Sequence, residues 1–141
     1  MKHYSILRVV SKLLIPYILL FALYVQFHGD YGPGGGFQAG VIFATGIILY
    51  ALVFGLSAAR RVAPPLVMES LIAVGVLIYA GTGIAAMICG GNFLDYGALD
   101  HHDPKHGQHL GILLVEAGVG ITVAAVMISI FFSFAGRERV K

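Results

Sequence analysis

Glu116 is a carboxylate in an apolar run. It lies between Leu110 and Phe134, and no Lys or Arg on that run can pair with it. An ionised acid at the centre of a bilayer costs about 2.5 to 3.5 kcal/mol on insertion scales. Such a group is therefore protonated, paired with a partner or bound to a cation, which are the working states of an ion or proton site. A hydrogen bond between helices is the structural alternative. Hard cations such as Na+ take oxygen ligands. Neutral oxygens that could serve are Thr122 on the same run and Tyr79 and Thr82 on the run from Leu66 to Cys89. The same hydroxyls can bond carbonyls of their own helices, and these residue types favour that packing role. Glu69 follows Pro64-Pro65 and is expected in the first turn of its helix, where a carboxylate complements the dipole and reaches Arg60 or Arg61. A tilted helix would instead make Glu69 the inner mouth of a path to Glu116.

Between the first two apolar runs lies His28-Gly29-Asp30-Tyr31-Gly32-Pro33-Gly34-Gly35-Gly36-Phe37-Gln38. Glycine has the most backbone entropy to lose, and Pro33 lacks an N–H and steers Gly32 out of the helical region, so the chain must turn here. The freed backbone groups need water, protein or an ion. No Lys-Ser/Thr follows the glycines, which removes a phosphate loop. The segment reads as a tight entry into the second helix, delivering Phe37 and a Gly36/Gly40/Ala44 stripe to neighbours, with Gln38 and Thr45 on another face. His28 and Asp30 could help concentrate cations at an entrance.

The late run has two small-residue faces, Glu116/Gly120/Ala124/Met127 and Gly111/Gly118/Thr122/Ala125/Ser129. Both should meet protein, and a four-helix chain has few ways to supply two neighbours to each helix, so further subunits are expected. A polar loop carries Asp95, Asp100, His101, His102, Asp103, His106 and His109. His102 and His106 have zinc-like spacing, but Pro104 stands between them, and the solvated-loop reading is preferred; no metal site is assigned.

Four spans must position these residues: about 6–27, 37–56, 66–89 and 110–134, with an outer loop at about 90–108. The 141 residues are 58% hydrophobic and 11% charged, with a mean hydropathy of +0.87. The expectation is a single all-α integral membrane domain with four transmembrane helices. The first run lacks a small-x-small cleavage site and reads as a retained helix, kinked at Pro16. Lys2, Arg8, Lys12, Arg60, Arg61, Arg137, Arg139 and Lys141 fall on one side and Lys105 on the other, which places both termini in the cytoplasm. The net charge of +2 belongs to that asymmetry and gives no support for nucleic-acid binding. Cys89 is the only cysteine, so no intrachain disulfide can form. The sequence has no H-E-x-x-H, G-x-S-x-G or iron–sulfur cysteine pattern, and no enzymatic chemistry or cofactor is expected.

His28-Gly29-x-x-x-Pro33-Gly34-Gly35-Gly36-Phe37-Gln38-x-Gly40, with the later Gly111-x-x-x-x-Glu116-x-Gly118-Val119 and Thr122-Val123, resembles the B subunit of the multisubunit Mrp-type Na+/H+ antiporter, the MrpB/MnhB family. The resemblance covers almost the whole chain. Where many relatives carry a second His and a polar Ser or Asn, this chain has Asp30 and Gly32. The resemblance implies a small subunit of an antiporter in a bacterial or archaeal cell membrane that exports Na+ using the proton gradient. Its partners would be small neighbouring subunits and large subunits similar to the pumping modules of respiratory complex I. Two roles remain open, a cation path through Glu116 and an adaptor that holds the assembly through Pro33, Phe37 and Gly118. A membrane-arm subunit of a related hydrogenase-type pump is a third reading.

Overall fold

Each long apolar run becomes a helix because a backbone in lipid must satisfy its own hydrogen bonds. The computed structural model describes residues 5–29, 34–100 and 103–137. Helices α1 (Ser5–His28), α2 (Gly36–Phe54), α4 (Pro65–Ile88) and α5 (Pro104–Ala135) are long and apolar enough to cross a membrane. A short α3 (Leu56–Val62) and a 3-10 turn (Tyr96–Leu99) complete the described elements. Strands are absent among the described residues.

Helix α5 takes the middle position. It packs against α2 on one side and α4 on the other, while α1 packs on α2. Small residues set these distances. A methyl group added at Gly40 would lie 2.6 Å from the Gly120 carbonyl, and one at Gly118 would lie 2.8 Å from the Gly75 carbonyl. On the two small-residue faces of α5, Gly120 thus lies toward α2 and Gly118 toward α4. The glycines of both faces thus find neighbours within this chain, while Met127 of the first face stays 39% exposed. Large side chains point away from the bundle instead, with Leu20, Leu77 and Phe134 each more than three-fifths exposed. Such surfaces are ordinary against lipid.

Three element boundaries differ from the hydropathy reading. Helix α5 begins at Pro104 rather than near residue 110. Asp103 caps it, its side chain accepting from the N–H groups of Lys105 at 3.0 Å and His106 at 3.4 Å, and proline at the first position sacrifices no hydrogen bond. The first turns are polar, so hydropathy did not register them. Helix α3 was not foreseen; Gly55, with φ of 94°, breaks the α2 path and restarts a helix at once. Glu69 is corrected from the first turn of α4 to the second, because the helix begins at Pro65.

At the end of the bundle that carries the chain termini, Ala44, Ala51, Met68, Ala125, Ile128 and Phe132 belong to one buried cluster. The Arg60 guanidinium donates to the Phe132 carbonyl at 3.4 Å, placing a cation on the negative end of α5. At the opposite end, the ring of Phe93 fills the space over Gly83 and the ring of Tyr96 that over Gly111. Burial raises the Tyr96 phenol above its ordinary value of 10.0, and Tyr79 adds to the shift.

Candidate functional site

The site forms where α1 ends. Gly29 leaves the helix, and after residues 30–33, which lie outside the described residues, Gly34 and Gly35 bring the chain back over the end of α1. Gly35 donates its N–H to the Val25 carbonyl at 3.4 Å and accepts from Ala39, so it both closes α1 and opens α2. Its φ of 115° lies in the region that favours glycine.

The returning loop closes over Glu116. A methyl group at Gly29 would overlap Glu116 Oε2 and stand 2.6 Å from Oε1; one at Gly35 would stand 3.1 Å from Oε1. At Gly36 the methyl would collide with the backbone carbonyl of Glu116 itself. Glycine is therefore required for space at Gly36, where the neighbour is backbone, and favoured by its φ at Gly35, whereas at Gly29 the neighbour is the end of a side chain that can rotate. The Gly36/Gly40 stripe of α2 fits against Glu116/Gly120 of α5 in register, one turn against one turn. Through that fit the carboxylate reaches the loop, about 18 Å from the start of α5 by its helical rise.

Gln26 of α1 belongs to the same place. Its Oε1 would lie 2.5 Å from a methyl at Gly120, and its Nε2 is buried without a hydrogen-bond partner among the described residues. Beside it opens a cavity of about 270 Å³, lined by Gln26 and by apolar groups that include Ala22, Gly40, Phe43, Leu71 and Ala124. Sequence reasoning missed both Gln26 and Gly29. The signal for Gln26 was present: it is the single carboxamide in the first apolar run.

The other expected residues are scattered. Thr122 donates to the Gly118 carbonyl at 2.9 Å and faces Gly75 on α4, away from the loop side of α5. Thr82 is buried and donates to Ile78 at 2.8 Å within its own helix. Tyr79 is 37% exposed. The two threonine hydroxyls follow the packing alternative, each bonding a carbonyl of its own helix. Glu69 is exposed at the far end of the bundle. His28 ends α1 and stacks on Tyr24, ring centroids 5.2 Å apart. Asp30 and Pro33 lie outside the described residues. Gly34 approaches the Val25 carbonyl, while Phe37 and Gln38 are exposed at the start of α2. Between the polar loop and the first turn of α5, His106 Nδ1 lies 3.2 Å from Asp100 Oδ2. His101 and His102 lie outside the described residues, and among those described no group of three or more potential metal ligands occurs.

Four apolar helices with one carboxylate held in their midst define a multi-pass membrane protein. Residues 6–129 match the family model described as "Domain related to MnhB subunit of Na+/H+ antiporter". The "Putative antiporter subunit mnhB2" of Staphylococcus haemolyticus (strain JCSC1435) is 35% identical over 133 residues, covering 93% of this chain and 94% of the relative. The protein of the same name from Staphylococcus aureus (strain Newman) is 34% identical over the same shares. The chain belongs to the MnhB family of antiporter subunits.

Proposed function

We propose that this subunit contributes a proton or cation relay to a multisubunit Na+/H+ antiporter, with Glu116 as its titrating group and the Gly29/Gly35 backbone as its lid. The observation that carries the reading is the closure of the glycine loop over the carboxylate. Protonated, Glu116 is neutral and compatible with its apolar helix; deprotonated, it needs a cation or several donors. A lid of small residues allows a hydrated ion to approach, and carboxylate with backbone carbonyls is an oxygen set suited to Na+. Both termini face the cytoplasm, by the excess of cations at their end of the bundle. The loop then lies toward the outside of a cell membrane, where protons enter and Na+ leaves. The subunit performs no bond chemistry and needs no cofactor. Its partners are the other antiporter subunits, both small neighbours and large proton-conducting ones.

Transport by everted membrane vesicles carrying the whole complex tests the reading. Glu116→Gln keeps size and hydrogen bonding but cannot titrate; it should reduce Na+-dependent proton movement by roughly tenfold or more with the complex recovered intact. Glu116→Asp should retain part of the activity. Full transport by the Gln variant would leave Glu116 as an interhelical hydrogen-bonding residue in an adaptor.

A further inference from the structure

Helix α5 meets α2 at Gly120 and α4 at Gly118, and a third side of it faces the cavity of about 270 Å³ beside Gln26. Ala117, Ile121, Ala124 and Ile128 recur at helical spacing along that side and form the cavity floor. One wall comes from α1 and α2, the other from Met68 and Leu71 of α4. Helices α1 and α4 do not pack on each other, and Leu23 on the α1 wall is 48% exposed, so the cavity opens sideways between these two spans. From Ala117 to Ile128 it follows α5 for about 16 Å. A transmembrane helix, about 10 Å across, would take up several times the cavity's volume over that length, whereas a single alkyl chain is far slimmer. At the end near Ala117 and Gly120 stands Gln26, about 3 Å along the axis from the end of α1 at His28. Its Nε2 is buried without a hydrogen-bond partner among the described residues. The last torsion of a glutamine is soft, so the amide can turn toward the cavity without moving its stem.

We propose that this cavity holds one acyl chain of a glycerophospholipid from the leaflet on the glycine-loop side, with the chain's ester carbonyl accepting a hydrogen bond from Gln26. The lining has one polar side chain, close to the membrane surface, and is apolar through the turns beyond it; an acyl ester presents its groups in that order. An amide N–H without an acceptor is costly in apolar surroundings, and hydrocarbon neighbours supply none. The ester carbonyl is the acceptor that a lipid brings to that depth. Ala117 and Ala124 on the floor leave the room that larger side chains would take.

The test uses native membranes containing the assembled complex and phosphatidylglycerol with a diazirine near the end of one chain, that chain being joined by an ester or by an ether. Adducts are mapped on this subunit. The ester probe should label Met68, Leu71 and Ile128 roughly fivefold more than the ether probe, which lacks the carbonyl. Both should label Leu77, which is 68% exposed on α4, equally. Gln26→Leu should bring the two probes to parity at the cavity residues. Ala124→Phe, which fills the floor, should lower labelling there severalfold and leave Leu77 unchanged. The ester and ether comparison needs no variant, so it decides the matter even where Ala124→Phe is poorly recovered. Adducts at Leu77 with none at Met68, Leu71 or Ile128, as when a partner's helix covers the opening, overturn the site. Equal labelling of the cavity residues by the two probes overturns the hydrogen bond to Gln26, and an equal loss at Leu77 with Ala124→Phe overturns the cavity as the place of binding.

Discussion

A methyl group has no room between the start of α2 and the backbone of Glu116, which makes Gly36 the most constrained residue of the site. Backbone cannot move as a flexible side chain can, so Gly36→Ala must push α2 away from α5. It should destabilise the subunit by about 1 to 3 kcal/mol, measured as loss of the complex on mild heating in detergent. Gly29→Ala differs, because its methyl meets the carboxylate end of a side chain that can rotate. Recovery of that complex should be near normal while Na+-dependent transport falls severalfold. Gly81→Ala, with open space around its position, is the internal control and should be neutral or stabilising by a few tenths to about 1 kcal/mol. Gln26 offers the opposite trade. Replacing its unpartnered amide with Leu should raise stability by about 1 kcal/mol and, if the amide serves the relay, lower transport at the same time.

Helix ends account for much of what hydropathy could not resolve. Asp103-Pro104 is a recognisable start signal, an acceptor followed by a residue without an N–H, yet the turns after it are polar and lie outside any apolar window. Asp103→Ala should weaken the cap by about 1 kcal/mol; hydrogen exchange at Lys105 and His106 should quicken, with exchange near Ile128 unchanged. The Glu116 carboxylate and the helix-breaking glycines were each legible in the sequence. Their meeting was not, because it depends on which side of α5 faces α2. Periodicity separates the Glu116/Gly120 face from the Gly118/Thr122 face but does not say which neighbour each receives. For the same reason Thr122 and Thr82 were plausible ligands in sequence, although their hydroxyls bond within their own helices in space.

At the scale of the molecule, the four-span architecture followed from composition alone, whereas the central placement of α5 did not. Helix α5 carries small residues on two faces whereas α1 has no glycine, but that contrast does not say which chain supplies the neighbours. Its two glycine faces look the same whether a partner subunit or the same chain fills them. At the glycines themselves, the close Gly40/Gly120 and Gly75/Gly118 approaches show the chain's own helices as the neighbours. What remains for partners is the outward surface, with α1 the least enclosed of the four spans.

The central helix is also made after the three spans it joins. Until α5 leaves the ribosome, α4 lacks the helix it chiefly packs on, and the glycine loop has no carboxylate to cover. Synthesis thus delivers three loosely associated spans and then the one that joins them, so quality control has a natural checkpoint at the insertion of α5. A chain stopped at Asp103 should insert α1, α2 and α4 yet be degraded far faster than the full-length subunit in pulse-chase labelling. Supplying α5 as a separate segment should restore its lifetime, as expected of a keystone that carries its own charge into place.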